Sequence, residues 1–211
     1  MKLLFLGAPG AGKGTQADVI SKELGIPTIS TGNILRAAVK NRTPVGVRAA
    51  EYMDKGALVP DEVIIDIVRE RLSEDDCAGG YILDGMPRTL KQAQALEDCG
   101  VEIDAAVSID VPDEDIVKRM TGRRTCPACG ASFHVTANPP KKEGICDACG
   151  AALTIRKDDA PETVLQRLST YHEQTEPLIG FYRERGKLRS VDGTQGLKET
   201  TKAIEAVLGI D

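Results

Sequence analysis

Apolar positions along the chain follow two rhythms. Short runs, Lys2–Leu6, Tyr81–Asp84, Ala105–Asp110 and Leu188–Asp192, have the length of strands, and the first is an unbroken apolar stretch of the kind a buried strand shows. Between them the apolar residues recur at helical spacing. Val19, Ile20 and Leu24 predict a helix over 16–24 that Gly25 stops, and Pro44 opens a second through Val47, Ala50 and Met53 to Lys55-Gly56. Asp61 is placed to cap a helix carrying Val63, Ile64, Ile67, Val68 and Leu72, with Gly79-Gly80 as its end. Further helices are predicted over 34–40 (entered by Thr31 as a cap), 89–98, 113–120, 161–185 and 197–208, with a short edge strand near 27–30. Strands alternating with helices imply an α/β fold: five mainly parallel strands with helices on both faces, in three layers. Two stretches break the rhythm. Residues 30–59 carry two short helices that read as an insertion beside a cleft, and residues 122–159 show turns, four cysteines and few periodic apolar positions.

The first strand runs into Gly7-Ala8-Pro9-Gly10-Ala11-Gly12-Lys13-Gly14-Thr15 and then a helix. Strand, glycine-rich turn and helix in that order make a phosphate-binding loop: backbone N–H groups converge, the helix start adds positive charge, and Lys13 reaches the outer phosphates. The strict pattern has Ser or Thr directly after the lysine. Here Gly14 stands there and Thr15 follows, so Thr15 is expected on a phosphate, with magnesium carried on the substrate phosphates and keeping several waters. Ligands of such a sheet gather at the carboxyl ends of the strands, which puts Asp84, as a magnesium-side acid, and Arg88, as a phosphate clamp, on the same rim as the loop.

Charge sharpens this reading. The chain of 211 residues has a net charge of −5 and no Trp, which argues against a protein built mainly to hold nucleic acid. No stretch has transmembrane length, and the apolar run after Lys2 is too short for an export signal, so a cytoplasmic protein without a membrane partner is expected. Against that acidic background, arginines bracket the four cysteines: Arg119, Arg123 and Arg124 before them, Arg156 and Arg167 after them. Arg119 and Arg123 are four apart and would share a face if the helix continued. Such a cluster fits a flap closing over a transferring phosphoryl group, where positioning and charge neutralisation do the work and water must be kept out.

Cys77 and Cys99 are isolated and expected to be buried thiols. Cys126-Pro127-Ala128-Cys129 and Cys146-Asp147-Ala148-Cys149 are paired knuckles, each followed by glycine. Their spacing suits a tetrahedral zinc site, with iron the minor alternative; four thiols leave no open position, so the role is structural. His134 is expected at the surface or facing a nucleotide, and His172 as an ordinary helix residue.

The glycine loop, Ser30-Thr31-Gly32-Asn33, Tyr81-Ile82-Leu83-Asp84-Gly85-Met86-Pro87-Arg88, Thr121-Gly122-Arg123-Arg124 and the four cysteines together resemble the adenylate kinases among the P-loop nucleoside monophosphate kinases, in their bacterial form with a zinc-bearing lid. The resemblance spans essentially the whole chain, and Gly14 is part of that family's loop. It implies reversible transfer from MgATP to AMP, giving two ADP. It implies ATP contacts from Gly10, Ala11, Gly12, Lys13, Gly14, Thr15, Arg119, Arg123, Ser132, Phe133 and Gln195. It implies AMP contacts from Thr31, Arg36, Ala57, Leu58, Val59, Gly85, Met86, Pro87, Arg88 and Gln92, with Arg156 and Arg167 enclosing the phosphates. It further implies a monomer in three parts: a core (1–29, 60–121, 160–211), a monophosphate-binding part (30–59) and a lid (122–159). Asn33 stands where related sequences often carry an acid. Two other readings are a kinase for CMP, UMP or GMP, differing only in the acceptor pocket, and a zinc-ribbon nucleic-acid module with an ATP-driven switch. Gln92 pairs a donor and an acceptor to a base edge, which suits adenine. The second rival needs a basic, aromatic stripe, and the cysteine segment offers only Lys141-Lys142 and Phe133.

Overall fold

A computed structural model describes residues 1–210. Five parallel strands, β1 (Lys2–Leu6), β2 (Thr28–Ser30), β3 (Tyr81–Asp84), β4 (Ala105–Asp110) and β7 (Leu188–Asp192), form one sheet in the order β2-β3-β1-β4-β7. The register, Leu4 against Leu83 and Ala106, brings the carboxyl ends of all five to one edge. Because side chains alternate across a strand, Leu4 and Leu6 fall into one core cluster and Leu3 and Phe5 into the other. Both faces are buried, which is why β1 reads as an uninterrupted apolar run.

Helices α1 (Lys13–Leu24), α6 (Asp113–Thr121), α7 (Pro161–Thr170) and α9 (Leu197–Leu208) cover one face, through Ile20, Ile116, Val164 and Ile204. Helices α4 (Asp61–Leu72), α5 (Leu90–Asp98) and α8 (Pro177–Glu184) cover the other, through Val68, Leu96 and Leu178. Helices α2 (Thr31–Lys40) and α3 (Pro44–Asp54) pack on the rim of that second layer through Leu35 and Ala49. A separate antiparallel pair, β5 (Arg123–Thr125) with β6 (Ser132–His134), opens the cysteine segment.

Several boundaries differ from expectation for local reasons. Thr31 is the first residue of α2 rather than its cap; Ser30 is the N-cap, and the Thr31 hydroxyl donates to the Gly85 carbonyl at 2.8 Å instead. Asp61 likewise lies inside the first turn of α4, with Pro60 at the cap. That helix stops at Leu72, not at Gly79-Gly80, because Ser73 and Glu74 bond the carbonyls three residues back and the Ser73 hydroxyl closes on Glu70 at 2.6 Å. Helix α6 ends at Thr121 with Gly122 as its C-cap, so Arg119 and Arg123 do not share a helical face; Arg123 belongs to β5. Cys99 is exposed at the C-cap of α5, whereas Cys77 is buried.

The predicted helix over 161–185 is interrupted. Residues Tyr171–Thr175 form a π turn, with the Glu176 N–H bonded to the Tyr171 carbonyl at 2.8 Å. Pro177 explains it: proline has no N–H to donate and its ring crowds the carbonyl four residues back, so the turn before it widens. His172 in this turn is more than an ordinary helix residue. Its ring meets Glu176 at 2.9 Å and Asp113, at the start of α6, at 3.0 Å.

Hydrogen bonds to Glu176 and Asp113 raise the His172 pKa above its ordinary value. The charged imidazolium therefore contributes stability that is complete below the unfolded value, about 6.5, and is lost as pH rises through the raised folded value. The melting temperature should fall as pH rises above about 6.5, and His172→Gln should flatten that slope. Equal slopes in the two proteins would contradict the pairing.

Candidate active site

β1 delivers the chain into the glycine loop under tight constraint. Gly7 has φ 135°, and a Cβ there would sit 2.6 Å from the Ile109 carbonyl oxygen, so only glycine lets the loop pass β4. Gly12, at φ 100°, is the N-cap of α1. The Gln16 N–H closes the first turn onto the Gly12 carbonyl at 3.0 Å. Ahead of it stand the N–H groups of Lys13, Gly14 and Thr15, which a helix start leaves without intrahelical partners, and all three residues line the cavity beyond.

Lys13 bends back over this loop, its Nζ donating to the carbonyls of Gly7 at 2.7 Å and Ala8 at 2.8 Å. Burial pushes its pKa down to about 8; Asp84 opposes the shift, while Arg88, Arg167 and Arg123 add to it. Asp84 ends β3 and accepts a hydrogen bond from the Ser30 hydroxyl at 3.1 Å. A Cβ on residue 14 would lie 3.5 Å from an Asp84 carboxylate oxygen, so Gly14 leaves the helix start open toward that acid.

The cavity holds about 590 Å³ and collects seven cations, Lys13, Arg36, Arg88, Arg119, Arg123, Arg156 and Arg167, against three lining carboxylates, Asp18, Asp84 and Asp158. A net negative chain thus concentrates positive charge in one place. Arg88 is held at three points: its N–H donates to Gln92 Oε1 at 2.7 Å, its Nε to the Gly85 carbonyl at 2.8 Å, and its carbonyl accepts from the Thr175 hydroxyl at 2.8 Å. Arg119 donates to the Gly193 carbonyl at 2.7 Å and Arg36 to Asn33 Oδ1 at 2.6 Å. Arg123 pairs with Asp159, and Arg167 with Asp158 at 2.5 Å. Arg156 Nε is buried without a hydrogen-bond partner among the described residues. Burial, then Arg123 and Arg36, push the Arg156 pKa down to about 9, and burial with Arg123 and Arg88 takes Arg167 to about 10 despite the nearby aspartates. Burial disfavours the Asp158 carboxylate, yet Arg167, Arg123, Arg156 and Arg36 together hold its pKa below the ordinary value.

The cavity is lined by the loop residues from Gly10 to Thr15, by Thr31, Ala57, Leu58, Val59, Gly85, Pro87 and Gln92, and by Ser132, Phe133, His134 and Gln195. Met86 is not among them: its side chain is fully buried in the core, although it follows the strand that carries Asp84. Arg124 also stays outside and donates to the carbonyls of Thr121 and Arg123. Sequence reading missed Asp158 and Asp159, the carboxylates that hold two of the arginines. Their only signal was the switch from two cations to two anions in Arg156-Lys157-Asp158-Asp159, which is equally that of a solvated turn.

The four cysteines converge. Their sulfurs lie within 4.8 Å of one another, with Cys126 to Cys149 at 3.4 Å and Cys129 to Cys146 at 3.6 Å. A tetrahedron with metal–sulfur bonds of about 2.3 Å has edges of about 3.8 Å, so the set fits zinc, and the separations are far above a disulfide bond of about 2.05 Å. Each knuckle closes the same way: the Cys126 N–H bonds the Ala131 carbonyl and the Cys146 N–H the Ala151 carbonyl, both at 2.9 Å. This segment lies against α2, where Lys40 Nζ donates to the Pro127 carbonyl at 3.1 Å.

A family model described as adenylate kinase matches residues 5–187. The chain belongs to the adenylate kinase family. The adenylate kinase of Caldicellulosiruptor saccharolyticus is 56% identical over 215 residues, covering 100% of both chains. That of Lachnospira eligens is 55% identical over 99% of this chain and 100% of its own. That of Acetivibrio thermocellus is 55% identical over 97% and 96%. Membership in the adenylate kinase family makes this chain a nucleotide-binding phosphotransferase.

The Lys13 environment carries a measurable consequence. Phosphate oxygens at Nζ favour the ammonium form, so nucleotide binding above about pH 8 should draw in a proton. The dissociation constant of a non-hydrolysable ATP analogue should rise above that pH, with proton uptake measured by calorimetry in two buffers. Lys13→Gln should abolish the uptake. Affinity that stays flat through this range would sink the assignment.

Proposed function

We propose that the chain catalyses reversible phosphoryl transfer between MgATP and AMP, giving two ADP. The observation that carries this reading is the gathering of seven cations around the glycine loop, with Arg156 Nε buried and without a partner among the described residues, in a chain of net charge −5. So much positive charge in one cavity calls for several phosphates at once. On this reading Gly10, Ala11, Gly12, Lys13, Gly14, Thr15, Arg119, Arg123, Ser132, Phe133 and Gln195 hold ATP. Thr31, Arg36, Ala57, Leu58, Val59, Gly85, Pro87, Arg88 and Gln92 hold AMP, Met86 contributing through the backbone fold of its turn. Arg156 and Arg167 close over the phosphates between them. Transfer needs no protein nucleophile: the two substrates are held end to end, and Lys13, Arg88, Arg123, Arg156 and Arg167 neutralise charge as it moves onto the leaving oxygen. Asp158 and Asp159 hold the guanidinium groups of Arg167 and Arg123 in position until phosphates take their place. Magnesium, carried on the ATP phosphates on the Asp84 side, would supply further charge neutralisation.

The same reading divides the chain into a core (1–29, 60–121, 160–211), a monophosphate-binding part (30–59) and a lid (122–159) that keeps water from the transferring group. The lid draws its stability from zinc on Cys126, Cys129, Cys146 and Cys149, since it offers few apolar residues for a core of its own. Four thiol ligands suit a reducing compartment, which supports a cytoplasmic protein. The same reading takes the chain as a monomer.

The deciding experiment incubates the protein with MgATP and each nucleoside monophosphate in turn. AMP should yield diphosphates fastest; comparable turnover of CMP or UMP would overturn the acceptor assignment. Arg88→Ala should lower kcat on the order of 10³-fold with the fold intact, and near-normal turnover would remove Arg88 from the transfer step. The purified chain should carry zinc, and Cys146→Ser should lose it and melt at lower temperature. Unchanged metal content in that variant would refute the four-thiol site.

A further inference from the structure

We infer that Asp61 is a positioning residue that sets base selectivity by fixing which way the Gln92 amide faces. The inference rests on the proposal that Gln92 reads the acceptor base. A carboxamide is nearly symmetric in shape, so half a turn about its last torsion exchanges oxygen and nitrogen at little steric cost. The exchange reverses what it recognises. Adenine presents an accepting ring nitrogen beside a donating amino group; a 6-oxopurine presents a donating ring N–H beside an accepting oxygen. A glutamine free to turn would accept either edge.

Gln92 is not free to turn. It is 2% exposed and lines the cavity. Its Oε1 accepts from the Arg88 backbone N–H at 2.7 Å, and its Nε2 donates to Asp61 Oδ1, also at 2.7 Å. A backbone N–H only donates and a carboxylate only accepts, so the two partners permit a single orientation. Reversal would press Oε1 against the Asp61 carboxylate and Nε2 against the Arg88 N–H. One N–H and one lone pair remain on the amide, the pair an adenine edge needs. Asp61 is itself anchored: the same Oδ1 accepts from the Thr89 hydroxyl at 3.3 Å, its side chain is only 18% exposed, and it does not line the cavity. It therefore acts through Gln92.

The test compares kcat/KM for AMP and for inosine monophosphate, at saturating MgATP, in the unaltered enzyme and in Asp61→Asn. Asparagine keeps the shape but offers an NH₂ as well as an oxygen, so it lifts one of the two constraints: the reversed amide still meets the Arg88 N–H but no longer a carboxylate, and its cost falls by that one charged contact. The AMP-to-inosine monophosphate ratio should fall about tenfold or more, the difference a charge-assisted hydrogen bond makes. It should do so through opposite changes in the two acceptor KM values, with the KM for MgATP and the melting temperature unchanged. An unchanged ratio overturns the inference. So does a loss shared equally by both acceptors, which would mark Asp61 as merely structural. If the unaltered enzyme uses both acceptors alike, it is the underlying assignment of Gln92 to the base that fails.

Discussion

Like charges crowded into one partly enclosed cavity constrain everything else in this molecule. Two unit charges about 4 Å apart interact by about 4 kcal/mol at an effective dielectric near 20. The cavity nevertheless assembles Lys13 and six arginines, and burial alone pushes several of them toward their neutral forms. The fold tolerates this because six of the seven groups are tied to a neighbour. Lys13 is held by carbonyls of its own loop, Arg119 by the Gly193 carbonyl, and Arg123 and Arg167 by adjacent aspartates. The repulsion left over favours whatever anion enters.

That arrangement is possible only because the sheet sends several connections to one edge. Arg88 follows β3, Arg119 lies on α6 after β4, and Arg156 and Arg167 return from the cysteine segment. None is near Lys13 in sequence. The strand order, with β1 between β3 and β4, puts the glycine loop at the centre of that edge, and the cations arrive from either side. On the proposed reading, the four-thiol cluster serves the same end at a distance: a segment poor in apolar residues needs another source of rigidity if its arginines are to aim at one point.

Much of this could be read before any coordinates. Strands buried on both faces leave unbroken apolar runs, so β1 and β3 announce themselves, and the glycine loop and cysteine knuckles carry their chemistry in short spacings. What stayed hidden depends on distant partners or on ambiguous local signals. Gly122 continues or ends a helix with equal ease, so the departure of Arg123 from the Arg119 face was not legible. Met86 looks like a neighbour of Arg88 and turns into the core. Asp158 and Asp159 look like any exposed acids until the arginines around them are located. The bond between Asp61 and Gln92 spans 31 residues, and no periodicity encodes it.

The π turn at Tyr171–Thr175 also shapes how the molecule comes apart. Upstream of it, Val164 and Leu168 belong to the cluster on one side of the sheet; downstream, Leu178 and Tyr182 belong to the cluster on the other. The two helices joined by this turn thus pack one against each layer, the apolar stripe swung across where the turn widens. Loosening either layer strips the packing from one half of this segment, which couples the unfolding of the two layers.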